Sequence, residues 1–366
     1  MSIIIPIIPQ YVEQMGVTGI WIGIIFAVYS GTRVLTAPFI GRLSDSKGRK
    51  PLLSAGLILS VLASLGYIWA SNPGQLVLVR FVHGAAGGMI YPIAMSYIGD
   101  LSAEGKEGTW MGYFNAIVFT AFGFGPLLGG VLSENFGITV TFATMSGLGF
   151  LALLLVGVML PESKPQQITD KPRIPFRAIA SSSMIQGLFS YRLTVEAGWG
   201  IYVSFISILA GFRLGLGAFQ IGILFATNVL LMSLLMIPFG KIADKVNKKP
   251  MIIASGLAAA ASLAAMPFAP SFWHLLALNI FAGIVSAAEF PSSSALAVAE
   301  GRRFGMASTI AVVTMATSAG MVVGPLMGGA VMDTMDVNTV FYSAAGIITL
   351  GVILFFCLTR RNRVDV

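Results

Sequence analysis

The sequence predicts an all-α membrane protein made of two six-helix bundles that repeat one another in parallel. Three observations carry that expectation. The 366 residues are 56% hydrophobic with a mean hydropathy of +0.86, more apolar surface than a soluble core of this size buries. Apolar segments long enough to cross a bilayer recur along the chain. One constant offset of 199 residues carries the first half of the sequence onto the second, as Gly23 onto Gly222.

The elements follow in order. Residues 1–12 are apolar, but at about 1.5 Å per residue twelve residues cover only roughly 18 Å, little more than half a hydrocarbon core. They read as a first helix that lacks its beginning, and the offset places Met1 opposite Gly200, well inside the seventh span. Full spans are expected at 17–40, 51–71, 74–97, 109–131 and 139–160. The stretch 161–185, PESKPQQITDKPRIPFRAIASSSMI, is rich in Pro, Ser and basic residues and reads as a solvent-exposed linker. Six further spans are expected at 186–211, 219–240, 250–269, 272–297, 306–331 and 338–358. The domain reading is therefore a bundle at 1–160, a linker at 161–185 and a second bundle at 186–366.

Of the 22 Lys and Arg residues, Arg33, Arg80 and Arg192 fall inside apolar segments and Arg213 alone falls in a loop on one side; all others lie in loops or termini on the opposite side. By the positive-inside rule, the linker, the loops after the second and eighth spans and the C-terminus are cytoplasmic, in a cell (inner or plasma) membrane. The net charge of +7 is thus spent on topology and not on a nucleic-acid face. Cys357 is the single cysteine, so no intrachain disulfide and no cysteine metal site can form. No metal or cofactor is expected, no signal-peptide pattern opens the chain, and no GxxxxGK[ST] loop points to nucleotide-driven transport.

Charge is concentrated in GRLSDSKGRKP, Gly41–Pro51, and the pattern returns in GKIADKVNKKP, Gly240–Pro250. The offset carries Gly41 to Gly240, Asp45 to Asp244, Pro51 to Pro250, Gly84 to Gly283 and Pro92 to Pro291. It also carries Gly125-Pro126 to Gly324-Pro325 and Gly129-Gly130 to Gly328-Gly329. An even number of spans separates equivalent positions, so the halves run parallel about an axis along the membrane normal.

These residues resemble the major facilitator superfamily over essentially the whole chain. The signature between helices 2 and 3 is matched at Gly41, Leu43, Asp45, Gly48, Arg49 and Lys50. The helix 4 arginine motif is matched at Leu76, Arg80, Gly84 and Gly87, with His83 where glutamine is usual. GPLLGG at 125–130 is similar to the antiporter-associated motif, with Ala121 where glycine is common, and GMVVGPLMGG at 320–329 is its complete counterpart. The resemblance implies a cytoplasmic latch at Asp45 and a role for Arg80 in proton coupling. Physically, the basic residues Lys47, Arg49 and Lys50 are accounted for by orientation, whereas a repeated carboxylate can cap a helix or pair with arginine as two halves move. The Gly-Pro and Gly-Gly pairs let helices 5 and 11 bend and approach other backbones closely.

Charge inside the spans is costly, at about 2.5–3.5 kcal/mol per group on insertion scales, and so marks function. Glu196 lies near the middle of the seventh span with Arg192 one turn away, and Glu289 lies nearer the cytoplasmic end of the tenth. Arg80, Glu196 and Glu289 are the proton-coupling candidates, with a structural Arg192–Glu196 pair as the rival reading of Glu196. Tyr29, Arg33, Tyr91, Asn115, Trp199, Tyr202, Asn228 and Asn279 suit a mixed polar and apolar cavity. Asn279 takes the position of Arg80 in the second half. The function expected is secondary transport by alternating access, most simply proton-coupled efflux of a small amphipathic compound by a monomer in contact with membrane lipid. The rival of the same fold is a symporter or facilitator for a sugar or organic acid. A membrane enzyme would need a nucleophile–base pair or metal cluster that His83 and His274 do not supply, and a channel fits latch motifs poorly.

Overall fold

The computed structural model describes residues 2–17, 19–101, 107–162, 182–304 and 306–360. A 3-10 turn at Ser2–Ile4 leads into α1 (Ile8–Gln14), α2 (Ile20–Lys47), α3 (Arg49–Trp69) and α4 (Pro73–Leu101). The helical stretch Glu107–Met159 is divided at Gly137, whose φ of 84° and ψ of 166° only glycine adopts readily, into α5 (107–136) and α6 (138–159). Then come α7 (Ser183–Leu214), α8 (Ala218–Lys245), α9 (Lys248–Ala265), a 3-10 turn at Met266–Phe268, α10 (Phe272–Phe304), α11 (Met306–Thr334) and α12 (Val337–Thr359). Each of the eleven expected spans is a helix, because in hydrocarbon the backbone must satisfy its own hydrogen bonds.

The helices form the two bundles of the predicted fold. In the first, α2 packs on α4, α4 on α3, and α3 on α6; in the second, α8 packs on α10, α10 on α9, and α9 on α12. The bundles meet along two seams, α2 against α11 and α5 against α8, again related by the repeat. The seams are tight because glycines sit where backbones meet. A Cβ at Gly23 would overlap the Pro325 carbonyl, and one at Gly222 would overlap the Pro126 carbonyl, the equivalent contact in the other seam. α7 is the most enclosed span, packed along its length on α11 and α12.

The start of α12 is capped locally. Asp336 Oδ1 accepts the Thr339 hydroxyl at 2.6 Å and the Thr339 N–H at 2.7 Å, capping α12, and these bonds hold its carboxyl below the usual carboxylate range. At the end of the bundle that carries the α2–α3 turn, hereafter the basic end, Lys50 Nζ donates to Gly157 O at 2.8 Å near the C-terminus of α6. Lys249 Nζ, its repeat equivalent, donates to Thr359 O at 2.6 Å at the C-terminus of α12. Each ammonium meets the negative end of a helix dipole.

Arg49 has more to do than set orientation. It is buried, its Nε pairs with Asp100 at 3.0 Å and its Nη1 donates to Ser44 at 2.6 Å, while Glu162 accepts its backbone N–H at 2.6 Å. The Gly41–Pro51 turn is thereby fastened to α4 and to the end of α6 within its own bundle. Gly48 turns the chain there with φ 92°, and a Cβ on it would run into the Glu162 carboxylate. Gly41 has open space around it, and the side chains of Asp45 and Asp244 lie outside the described residues.

Candidate functional site

Between the bundles lies a cavity of about 1310 Å³. Its wall on the second bundle carries two carboxylates that share one guanidinium. Arg192 and Glu196 stand one turn apart on α7, which puts them on one face, and Glu289 comes from α10. Arg192 Nη2 donates to Glu196 Oε1 at 2.9 Å; Nη1 donates to Glu289 Oε1 at 3.2 Å and Oε2 at 3.4 Å, and to Ser293 Oγ at 3.3 Å. The guanidinium also lies over the Phe290 ring, with Cζ 5.2 Å from its centroid. Glu196 and Glu289 line the cavity, and Glu196 is the more open of the two, 16% exposed against 8%. The sequence raised the Arg192–Glu196 pair; that Arg192 also holds Glu289, 97 residues away, only the fold reveals.

Arg80 stands apart from this cluster. It is buried in α4 inside an aromatic box, with Cζ 4.8 Å from the Phe26 centroid, 5.6 Å from Tyr29 and 5.9 Å from Tyr67. Its Nε and Nη2 have no hydrogen-bond partner among the described residues. His83, one turn on, bonds through Nδ1 to the Tyr67 hydroxyl at 3.1 Å and meets the Tyr29 ring edge-on. Arg80 itself does not line the cavity, but Tyr29, which touches it, does.

Of the residues expected in the cavity, Tyr29, Arg33, Tyr91, Trp199, Tyr202 and Asn228 line it. Trp199 and Tyr202 stack at 5.2 Å and 26°. Asn115 and Asn279 stand behind the wall and position members of it. The Tyr91 hydroxyl donates to Asn115 Oδ1 at 3.2 Å, and the Tyr202 hydroxyl donates to Asn279 Oδ1 at 2.5 Å. Asn279 is wholly buried, where the repeat puts a polar residue, and its carbonyl accepts from Asn228 at 3.4 Å.

The proline–glycine segments split their work between two neighbours. Gly125 faces the Ser2 side chain and Gly129 the Ile3 carbonyl, while Gly324 faces Ala197 and Gly328 the Phe205 ring, each within its own bundle. Gly130 faces Ala218 and Phe219 of α8, and Gly329 faces Gly19 and Ile20 of α2, both across a seam. Beside these contacts, at the end opposite the basic one, two hydrogen bonds join the bundles among the described residues. Glu134 Oε1 accepts the Phe219 N–H at 2.9 Å at the start of α8, and Asp333 Oδ2 accepts the Ile20 N–H at 2.9 Å at the start of α2. Each carboxylate, from the end of α5 or α11, caps the opposing bundle's helix. Glu134 and Asp333 are themselves 199 residues apart, and so are Ile20 and Phe219, so the repeat in the sequence relates both caps.

Comparison with known proteins agrees with this architecture. The profile of the Major Facilitator Superfamily matches residues 1–212 and 188–365. The chain belongs to the major facilitator superfamily. An MFS-type transporter of Methanocaldococcus jannaschii is 26% identical over 370 residues, spanning 98% of this chain and 95% of that relative. The multidrug resistance protein MdtG of Salmonella heidelberg is 27% identical over 385 residues, spanning 100% of this chain and 93% of MdtG. Among solved structures, a bacterial homologue of the human lysosomal transporter Spinster, inward-facing and unoccupied, superposes with a TM-score of 0.87 at 15% identity, over 98% of this chain and 93% of that one. The human organic anion transporter MFSD10 superposes with a TM-score of 0.64 at 17% identity, over 91% and 83% of the two chains. The protein is a multi-pass membrane transporter of this superfamily.

Proposed function

We propose that this transporter exports a small amphipathic compound in exchange for protons, by rocking the bodies 1–160 and 186–366, joined by the 161–185 linker, about the central cavity. The observation that carries the reading is the shared guanidinium. A lone Arg192–Glu196 pair would resist protonation, since removing one partner strands a buried charge at a cost of about 3–5 kcal/mol. With Glu289 also on Arg192, a proton can enter Glu196 and leave the Arg192–Glu289 pair intact. The ionised cluster carries one excess negative charge on the cavity wall, and a single proton neutralises it. A proton and a cationic group of the substrate then compete for one carboxylate, which is the minimum an exchanger needs. The likeness to relatives named multidrug resistance protein MdtG supports a reading as drug efflux.

Arg80 acts in this scheme from behind the wall, through Tyr29. Asp45 and Asp244 form the latch at the basic end that the family resemblance implies, and the Glu134 and Asp333 caps are its counterpart opposite. The basic end, the linker and the C-terminus face the cytoplasm of a cell membrane, and one chain holds the complete cavity, so a monomer suffices.

The test is transport in proteoliposomes with an imposed pH gradient and a panel of compounds. Exit of substrate brings protons in for an exchanger and takes protons out for a symporter, the rival reading. Glu196→Gln mimics the protonated wall and is expected to abolish proton-driven transport while substrate-for-substrate exchange persists. Uphill transport with unchanged pH dependence in that variant would make Glu196 structural.

A further inference from the structure

The repeat relates the two walls of the cavity, and their charges do not match. Tyr91 and Phe290 are equivalent positions, both line the cavity, and each carries a guanidinium over its ring. On the second bundle that guanidinium is Arg192, neutralised by Glu196 and Glu289. On the first it is Arg33, from α2, with Cζ 5.6 Å from the Tyr91 centroid. Arg33 is exposed to the cavity, and its guanidinium has no hydrogen bond or ion pair with any described residue. The Asn115 bond to the Tyr91 hydroxyl fixes the ring beneath it.

Architecture alone does not require this charge. The repeat equivalent of Arg33 is Met232, and that of Glu289 is Ile90, both of which line the same cavity. One wall therefore carries an unpaired positive charge where the other has a thioether, and an excess negative charge where its counterpart is aliphatic. The same cavity is lined by Trp199, Tyr202, Phe114 and Phe119, a surface for an apolar body.

We infer that the cavity takes zwitterionic amphipaths, with an anionic group on Arg33 and a cationic group on Glu196 in place of the proton. The inference rests on the proposed exchange reading and names the substrate class of that same site. A purely cationic compound would leave Arg33 unsatisfied, and a purely anionic one would face the carboxylate wall. A carboxylate, sulfonate or phosphate each offers the planar or forked acceptors that guanidinium binds.

The experiment is equilibrium binding to the full chain in lipid nanodiscs without a pH gradient, read by Trp fluorescence. Three probes of similar bulk are used: quinolinium propanesulfonate, N-propylquinolinium and naphthalene sulfonate. The zwitterion is expected to bind tightest. Arg33→Gln is expected to weaken the zwitterion by about tenfold, the worth of one charge-assisted contact, and to bind N-propylquinolinium at least as tightly as wild type, since a like charge has gone, which also certifies the fold. Arg33→Lys, which keeps the charge, is expected to retain most of the affinity. Weaker apparent probe binding in phosphatidylcholine than in phosphatidylglycerol discs identifies a lipid headgroup as the natural zwitterion, and equal binding a free compound; both uphold the class. Equal affinity of wild type for the zwitterion and N-propylquinolinium, or an unchanged zwitterion affinity in Arg33→Gln, overturns it. Loss of proton coupling in Glu196→Gln is read by transport, so failure of the exchange reading and failure of this one are separable.

Discussion

At the scale of single residues, the feature that most constrains the chemistry is the position of Arg192 between Glu196 and Glu289. Three ionisable groups in one buried cluster are tolerable only because each has a partner. Arg192→Gln leaves two carboxylates facing each other with a neutral amide between them, and is expected to destabilise the second bundle by about 3–5 kcal/mol. Adding Glu289→Gln to that variant removes one stranded charge and should recover part of the loss. Thermal unfolding in detergent measures both, and a single variant as stable as wild type refutes the account. Replacing Glu289 alone spares the Arg192–Glu196 pair, so its stability cost should be smaller.

At the scale of elements, the seams are held by complementary ends. The C-terminal turn of α5 presents Glu134 to the start of α8, and α11 presents Asp333 to the start of α2. Removal of a side-chain N-cap typically costs about 1 kcal/mol, and two such losses shift a conformational equilibrium by roughly an order of magnitude or more. Glu134→Ala with Asp333→Ala is thus expected to favour opening at that end. Spin labels at Asn135 and Met335, exposed on either side of the junction, should report a longer distance population in the double variant. An unaltered distance distribution would remove these caps from any account of gating.

At the scale of the whole molecule, the two bundles meet mainly along two glycine-lined seams, with two caps at one end. Alternating access asks the seams to part at one end while they close at the other. Ile20→Cys with Asp333→Cys, in a Cys357→Ser background, places a cross-link where the cap now sits. Oxidation is expected to arrest transport while leaving substrate binding from the basic end, and reductant should restore turnover. Transport that continues in the fully cross-linked protein would mean that this end need not open.

The hydrophobic spans, their number and their pairing by the 199-residue repeat were legible in the chain itself, because a bilayer forces apolar stretches into helices and the repeat fixes which helices are equivalent. The intramembrane charges were visible too, since any ionisable residue in an apolar run stands out. Their partners were not. Arg192 and Glu196 share a helix face, which spacing discloses, but Glu289 reaches them only through the packing of α7 against α10. Arg80 has the sequence position of a coupling residue, yet its place in an aromatic box behind Tyr29 depends on how α2, α3 and α4 meet. Asn115 and Asn279 read as cavity polar groups and instead brace Tyr91 and Tyr202 from behind. Sequence determined what must lie in the membrane, because that depends on composition along one strand of chain; tertiary structure decided which charges meet, because distance between helices is set by side-chain and glycine packing that no single segment contains.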